Sequence, residues 1–76
     1  MSIESNLYVD DAYLIDRKVL EMFNELNVLG VVIPSTGMPP TLVIFENGRE
    51  IKRINNGREI LNYLPIQFGK SDKKAR

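Results

Sequence analysis

Seventy-six residues, 43% hydrophobic and 26% charged, describe one small globular domain and not a disordered chain. The absence of cysteine and histidine removes disulfides, thiolate nucleophiles, CxxC redox chemistry, zinc–cysteine sites and every Ser-His or Cys-His catalytic pair. Net charge is zero but uneven: residues 1–45 carry six acidic and two basic groups, a net −4, and residues 46–76 carry four and eight, a net +4.

The opening "MSIESNLYVDD" has no basic region and no long apolar region of the signal-peptide kind. No apolar run approaches the roughly 20 residues that span a bilayer, so a cytoplasmic protein is expected. "NLYV", Asn6 to Val9, is a short strand closed by Asp10 and Asp11, either of which can cap a helix. From Ala12 to Val28 the period becomes helical, with Ile15, Val19, Met22, Phe23 and Leu26 on one apolar stripe. Gly30 follows the helix, and Val31 to Pro34 reads as a short buried strand. "STGMP" is loop by composition.

"TLVIF", Thr41 to Phe45, is apolar on both faces, as a central strand should be. Asn47-Gly48 is a strong hairpin signal, since a type I′ turn needs positive φ at both central positions. "REIKRI" alternates weakly, and Arg49, Lys52 and Arg53 mark it as a charged edge strand. Asn56 and Glu59 form a candidate capping box for a last helix, with Ile60, Leu61 and Leu64 facing the core, Pro65 ending the helix and Phe68 folding back. Residues 69–76 form a polar, basic tail expected to be flexible, with a nucleic-acid contact as the weaker reading.

The expected fold class is therefore α/β, a β-α-β-β-β-α sandwich of about four strands and two helices in one domain, residues 1–68. A right-handed β-α-β unit receives the hairpin's antiparallel strands. The competing arrangement pairs strands two and three directly as a hairpin.

"PTLVIFENG", Pro40 to Gly48, resembles the thioredoxin-like superfamily, whose segment at the third strand reads close to "PTLLLF-NG-". "INNGREILNYL", Ile54 to Leu64, is similar to the last helix of glutaredoxins, with a pattern like "IGGYDDLREYL". The resemblance implies a thioredoxin-like fold and a cis Pro39–Pro40 bond beside the old active-site position. It puts "DDAY", Asp10 to Tyr13, where the catalytic CxxC would lie, and both thiols are absent there. Thiol–disulfide exchange is thereby excluded, and no enzymatic activity is expected.

Two further departures bear on binding. Pro39 stands where the family's residue hydrogen-bonds an extended peptide or glutathione, and it has no N–H to donate. The helix that the family places between strands two and three is missing. Ser35 to Pro39 must instead cross the end of strand one, roofing the position of the lost thiols.

The function these features suggest is a redox-inactive protein-interaction module, an adaptor or inhibitor. Its small, stripped-down fold suggests a virus- or mobile-element-encoded protein acting on a host target. The expected partner surfaces are Asp10, Asp11, Tyr13, Met38, Pro39 and Pro40, and the basic edge Arg49, Lys52 and Arg53, open to strand addition. An exposed edge also allows a homodimer. The alternative is a small-ligand protein binding glutathione or another anion at the helix start Asn55, Asn56, Gly57 and Arg58. No metal, cofactor or membrane partner is expected. Asp10-Asp11 reads as a helix cap in preference to a metal pair, and nucleic acid is not the expected partner.

Overall fold

The computed structural model describes residues 3–69. Its order is β1 (Ile3–Val9), α1 (Leu14–Glu25), β2 (Gly30–Pro34), β3 (Thr41–Glu46), β4 (Arg49–Ile54) and α2 (Gly57–Phe68). The four strands form one mixed sheet in the order β2-β1-β3-β4, with β1 parallel to β2 and antiparallel to β3. β1 thus lies between β2 and β3, so those two strands do not pair as a hairpin. The expectations placed on the tail fall on residues 70–76, outside the described residues. Among the described residues no helix is long and apolar enough to cross a membrane.

One hydrophobic cluster joins Leu7 and Val9 of β1, Leu42 and Ile44 of β3, and Ile54 of β4 to Val19 and Phe23 of α1 and Ile60 and Leu64 of α2. Strand side chains alternate, so these residues share one sheet face and both helices pack on it. Burying each large apolar side chain contributes about 1.5–3 kcal/mol. The opposite face carries Tyr8, Val31, Ile33, Val43 and Phe45, as the strand registers require. Among the described residues, neither helix covers it.

α1 is shorter than its apolar period. Asn27 adopts φ 54°, while Val28 N–H donates to the Phe23 carbonyl (3.2 Å) and Asn27 N–H to that of Asn24 (3.1 Å). This is a Schellman stop with asparagine in the left-handed position. The expected stripe is shifted at its start: Val19 and Phe23 are buried and Met22 and Leu26 pack against the core, but Ile15 is 36% exposed and Asp16 is buried at 1% exposure. Neither Asp10 nor Asp11 caps the helix. Tyr13 is the N-cap residue and makes no side-chain cap bond.

The hairpin follows its sequence signal, with Asn47 at φ 52° and Gly48 at φ 84°. In β4, Ile44 pairs with Lys52 and Phe45 with Glu50, so Ile51 is an inserted bulge residue. The bulge explains the weak alternation, because it brings Glu50 and Arg53 onto one face. Asn56 accepts from Glu59 N–H (3.0 Å) as the cap of α2. Pro65 does not end that helix. The turn continues to Phe68, which packs against the core, and the Pro65 carbonyl accepts from Gly69 N–H (2.9 Å).

The Pro39–Pro40 bond is trans, contrary to the expected cis form, as are the other peptide bonds among the described residues. The trans isomer is the ordinary preference of an X-Pro bond. Here it lets the connection deliver a buried Pro40 ring against the start of α2.

Gly30 does not serve as the helix stop. A Cβ there would lie 2.8 Å from both the Ser5 carbonyl carbon and Oγ, where β2 approaches β1. Gly30→Ala is therefore expected to cost roughly 2 kcal/mol or more, since backbone and not a mobile side chain must yield. Urea unfolding measures it, and an unchanged midpoint would contradict the close approach.

Candidate functional site: the corner of β1, α1 and the β2–β3 connection

β1 ends at Val9, and the chain turns through Asp10–Ala12 into α1. The Asp10 carboxylate accepts from Ala12 N–H at 3.1 Å, closing the local turn, and from Gly37 N–H at 2.9 Å, 27 residues away. Gly37 sits at φ +80°, a backbone state that favours glycine. The Asp10 carbonyl accepts from Tyr13 N–H (3.1 Å), and Asp10 N–H donates to Asp16 Oδ2 at 2.7 Å. Asp10 thus fastens the β2–β3 connection to the turn that starts α1. Asp16, in the helix's first turn, reaches back as an acceptor where a carboxylate also suits the helix dipole.

Around this tie, Tyr13, Ile15, Asp16 and the segment Gly37–Pro40 line a shallow concavity of ≈ 310 Å³. Its rim is apolar and wet: Tyr13 is 55% exposed and Met38 55%, and the adjoining Leu14 is 63% exposed. The structure therefore gathers Tyr13, Met38, Pro39 and Pro40 around one hollow. Asp10 and Asp11 line a neighbouring cleft with Leu20, Val32 and Thr36.

The basic edge expected from Arg49, Lys52 and Arg53 does not form one patch. Arg53 makes a two-pronged pair with Glu50 (Nε–Oε2 3.0 Å, Nη2–Oε1 2.9 Å) on the uncovered sheet face. Lys52 points to the helix side, its Nζ 5.4 Å from the centre of the Tyr63 ring. Arg49 lies by the hairpin with Glu46, Asn47 and Ile51. The bulge and strand alternation scatter these cations.

At the helix start Asn55–Arg58, Gly57 is buried. A Cβ on it would lie 2.6 Å from Ile15 Cγ1 and 3.2 Å from Pro40 Cγ. Apolar side chains therefore occupy the space above Gly57, and the Asn56 side chain already accepts the Glu59 N–H. Asn55, Asn56 and Arg58 are exposed around it. Among the described residues, no group of three His, Cys, Asp or Glu side chains could hold a metal ion.

Sequence reasoning missed Asp16, Leu14 and the uncovered sheet face. A signal for Asp16 existed, because it lies three and seven residues before Val19 and Phe23, on the buried stripe. The uncovered face follows from the missing connection helix, combined with the strand parity of Tyr8 and Phe45.

Two outcomes test this geometry. Asp16→Leu is expected to destabilise by about 1–3 kcal/mol in urea unfolding, because Asp10 N–H loses its acceptor, while Asp16→Asn loses less. Equal losses would contradict the bond. The bonds from Gly37 and Ala12 hold the Asp10 carboxyl below its ordinary 3.8. Its tie is thus fully present above that value and lost as pH falls through the lowered one. The Gly37 amide shift should titrate with a midpoint below 3.8; a midpoint at or above it would contradict the tie.

Compared with protein-family models, curated proteins and solved structures, the chain matches none.

Proposed function

We propose that the chain is a thiol-free, thioredoxin-like protein-interaction domain whose partner surface is the corner around Tyr13, Leu14, Ile15, Met38 and Pro39. The observation that carries this reading is a concentration of exposed apolar side chains around one hollow on a fastened loop and helix start. Scattered apolar residues on a surface need no explanation, but contiguous ones rimming a concavity mark interaction sites. The strand order, with β1 between β2 and β3 and an antiparallel hairpin beside it, supports the thioredoxin-like part of the reading. The trans bond before Pro40 is its departure from that family.

The partner is a protein segment that inserts an apolar side chain between Tyr13 and Met38. Pro39 offers no N–H, so side-chain packing carries recognition more than backbone pairing does. The absence of cysteine leaves shape and apolar contact as what this corner contributes. An adaptor or inhibitor acting on a host protein remains the functional class proposed.

The test is affinity capture from source-cell lysate with wild type, Tyr13→Asp, Met38→Asp and, as a surface control, Arg53→Glu, each confirmed folded. The expected result is one protein retained by wild type and Arg53→Glu and lost at least tenfold by both corner variants. Equal retention by all four proteins would remove the corner from the account.

A further inference from the structure

The two edges of the sheet differ in kind. β4 carries Arg49, Glu50, Lys52 and Arg53, and its bulge interrupts the ladder, both of which discourage pairing with another strand. β2 reads Gly-Val-Val-Ile-Pro, with no charge in five residues. Val31 is 53% exposed and Val32 39%, and the preceding Leu29 is 62% exposed. A bare apolar edge of this kind is a template for a further strand.

The phase of the β1–β2 ladder shows which backbone groups are offered. Ser5 N–H donates to the Leu29 carbonyl (3.0 Å), and Ser35 N–H donates to that of Val9 (2.7 Å). With Ser5 opposite Gly30 and Val9 opposite Pro34, the parallel ladder uses the peptide groups of residues 29, 31, 33 and 35. The N–H groups of Gly30 and Val32, and the carbonyls of Gly30, Val32 and Pro34, therefore point away from the sheet.

We propose that β2 pairs antiparallel with β2 of a second copy of this chain, about a two-fold axis at Val32, to make a continuous eight-stranded sheet. In this register Val32 and its counterpart exchange two hydrogen bonds, and each Gly30 N–H donates to the Pro34 carbonyl of the other copy. Pro34 has no N–H for the Gly30 carbonyl, so the ladder ends there. Val32 faces itself, and Val31 faces Ile33 twice, giving three apolar pairs and no charged one. The strand is complementary to itself along its whole length, as a two-fold interface requires. A shift by two residues would set Val32 against Gly30 and lose that match. The same pairing of β4 with itself would bring its cations together.

This pairing uses no residue of the proposed partner hollow, so the two readings stand or fall separately. Sedimentation equilibrium of the wild type should show a concentration-dependent rise from 8.7 kDa toward twice that mass. Over the same range, the Gly30 and Val32 amides should gain hydrogen-exchange protection. Val32→Lys and Val32→Glu alone should each remain at monomer mass, and their equimolar mixture should recover the dimer, because opposite charges then meet across the axis. A wild type that stays monomeric to millimolar concentration would overturn the proposal. So would a dimer in which the Gly30 and Val32 amides stay unprotected, or one that either variant alone retains.

Discussion

The carboxylate of Asp10 is the fastening on which the arrangement of this small domain turns. It accepts from Ala12 N–H and from Gly37 N–H, so a single side chain closes the turn into α1 and pins the connection that leaves β2. That connection runs only from Ser35 to Pro40 and must pass the end of β1 to reach β3. A segment so short has no helix to lay over the second face of the sheet. Both helices therefore share one face with the hydrophobic cluster, and among the described residues the other carries strand side chains alone.

The shape of the surface follows from that economy. Pro40 is carried inward against Ile15 and Gly57, which ties the starts of α1 and α2 together. Met38 and Pro39 are left outside, around one hollow with Tyr13 and Ile15. An apolar corner thus arises where chain crossing and helix entry meet. On the uncovered face, Val43 is nonetheless 1% exposed, flanked by Asn6 and Arg53 in the neighbouring strands. The Arg53–Glu50 pair is exposed and i,i+3, a geometry that contributes little to stability. Its effect is on surface character, since it neutralises the cation nearest the centre of that face.

Much of this was legible because local chemistry and fold agree. Asn47-Gly48 specified its turn, Asn56 specified its cap, and "TLVIF" specified a strand buried in the middle of the sheet. What escaped depended on backbone geometry and packing that residue type alone does not fix. Asp16 looked like one polar residue among several at the start of α1, and the bond from Asp10 N–H makes its burial tolerable. Asn27 ended α1 before the apolar period did, since its left-handed backbone lets its own N–H and that of Val28 satisfy two carbonyls. Pro65 was overridden by the packing of Phe68, a tertiary contact that outweighs a local breaker. The dispersal of Arg49, Lys52 and Arg53 required knowledge of the bulge at Ile51, which strict alternation does not reveal.

Among the described residues, the fastened, helix-free connection leaves one sheet face without a covering helix, while both helices and the hydrophobic cluster lie on the other. Solvent paramagnetic relaxation by a neutral gadolinium chelate, read at side-chain protons in dilute solution, tests it most directly. Clear attenuation at the half-buried Tyr8 and Phe45, with the buried Phe23, Leu42 and Ile60 protected, is the expected result. Protection of Tyr8 and Phe45 equal to that of Phe23 would contradict it, because the second face would then be covered.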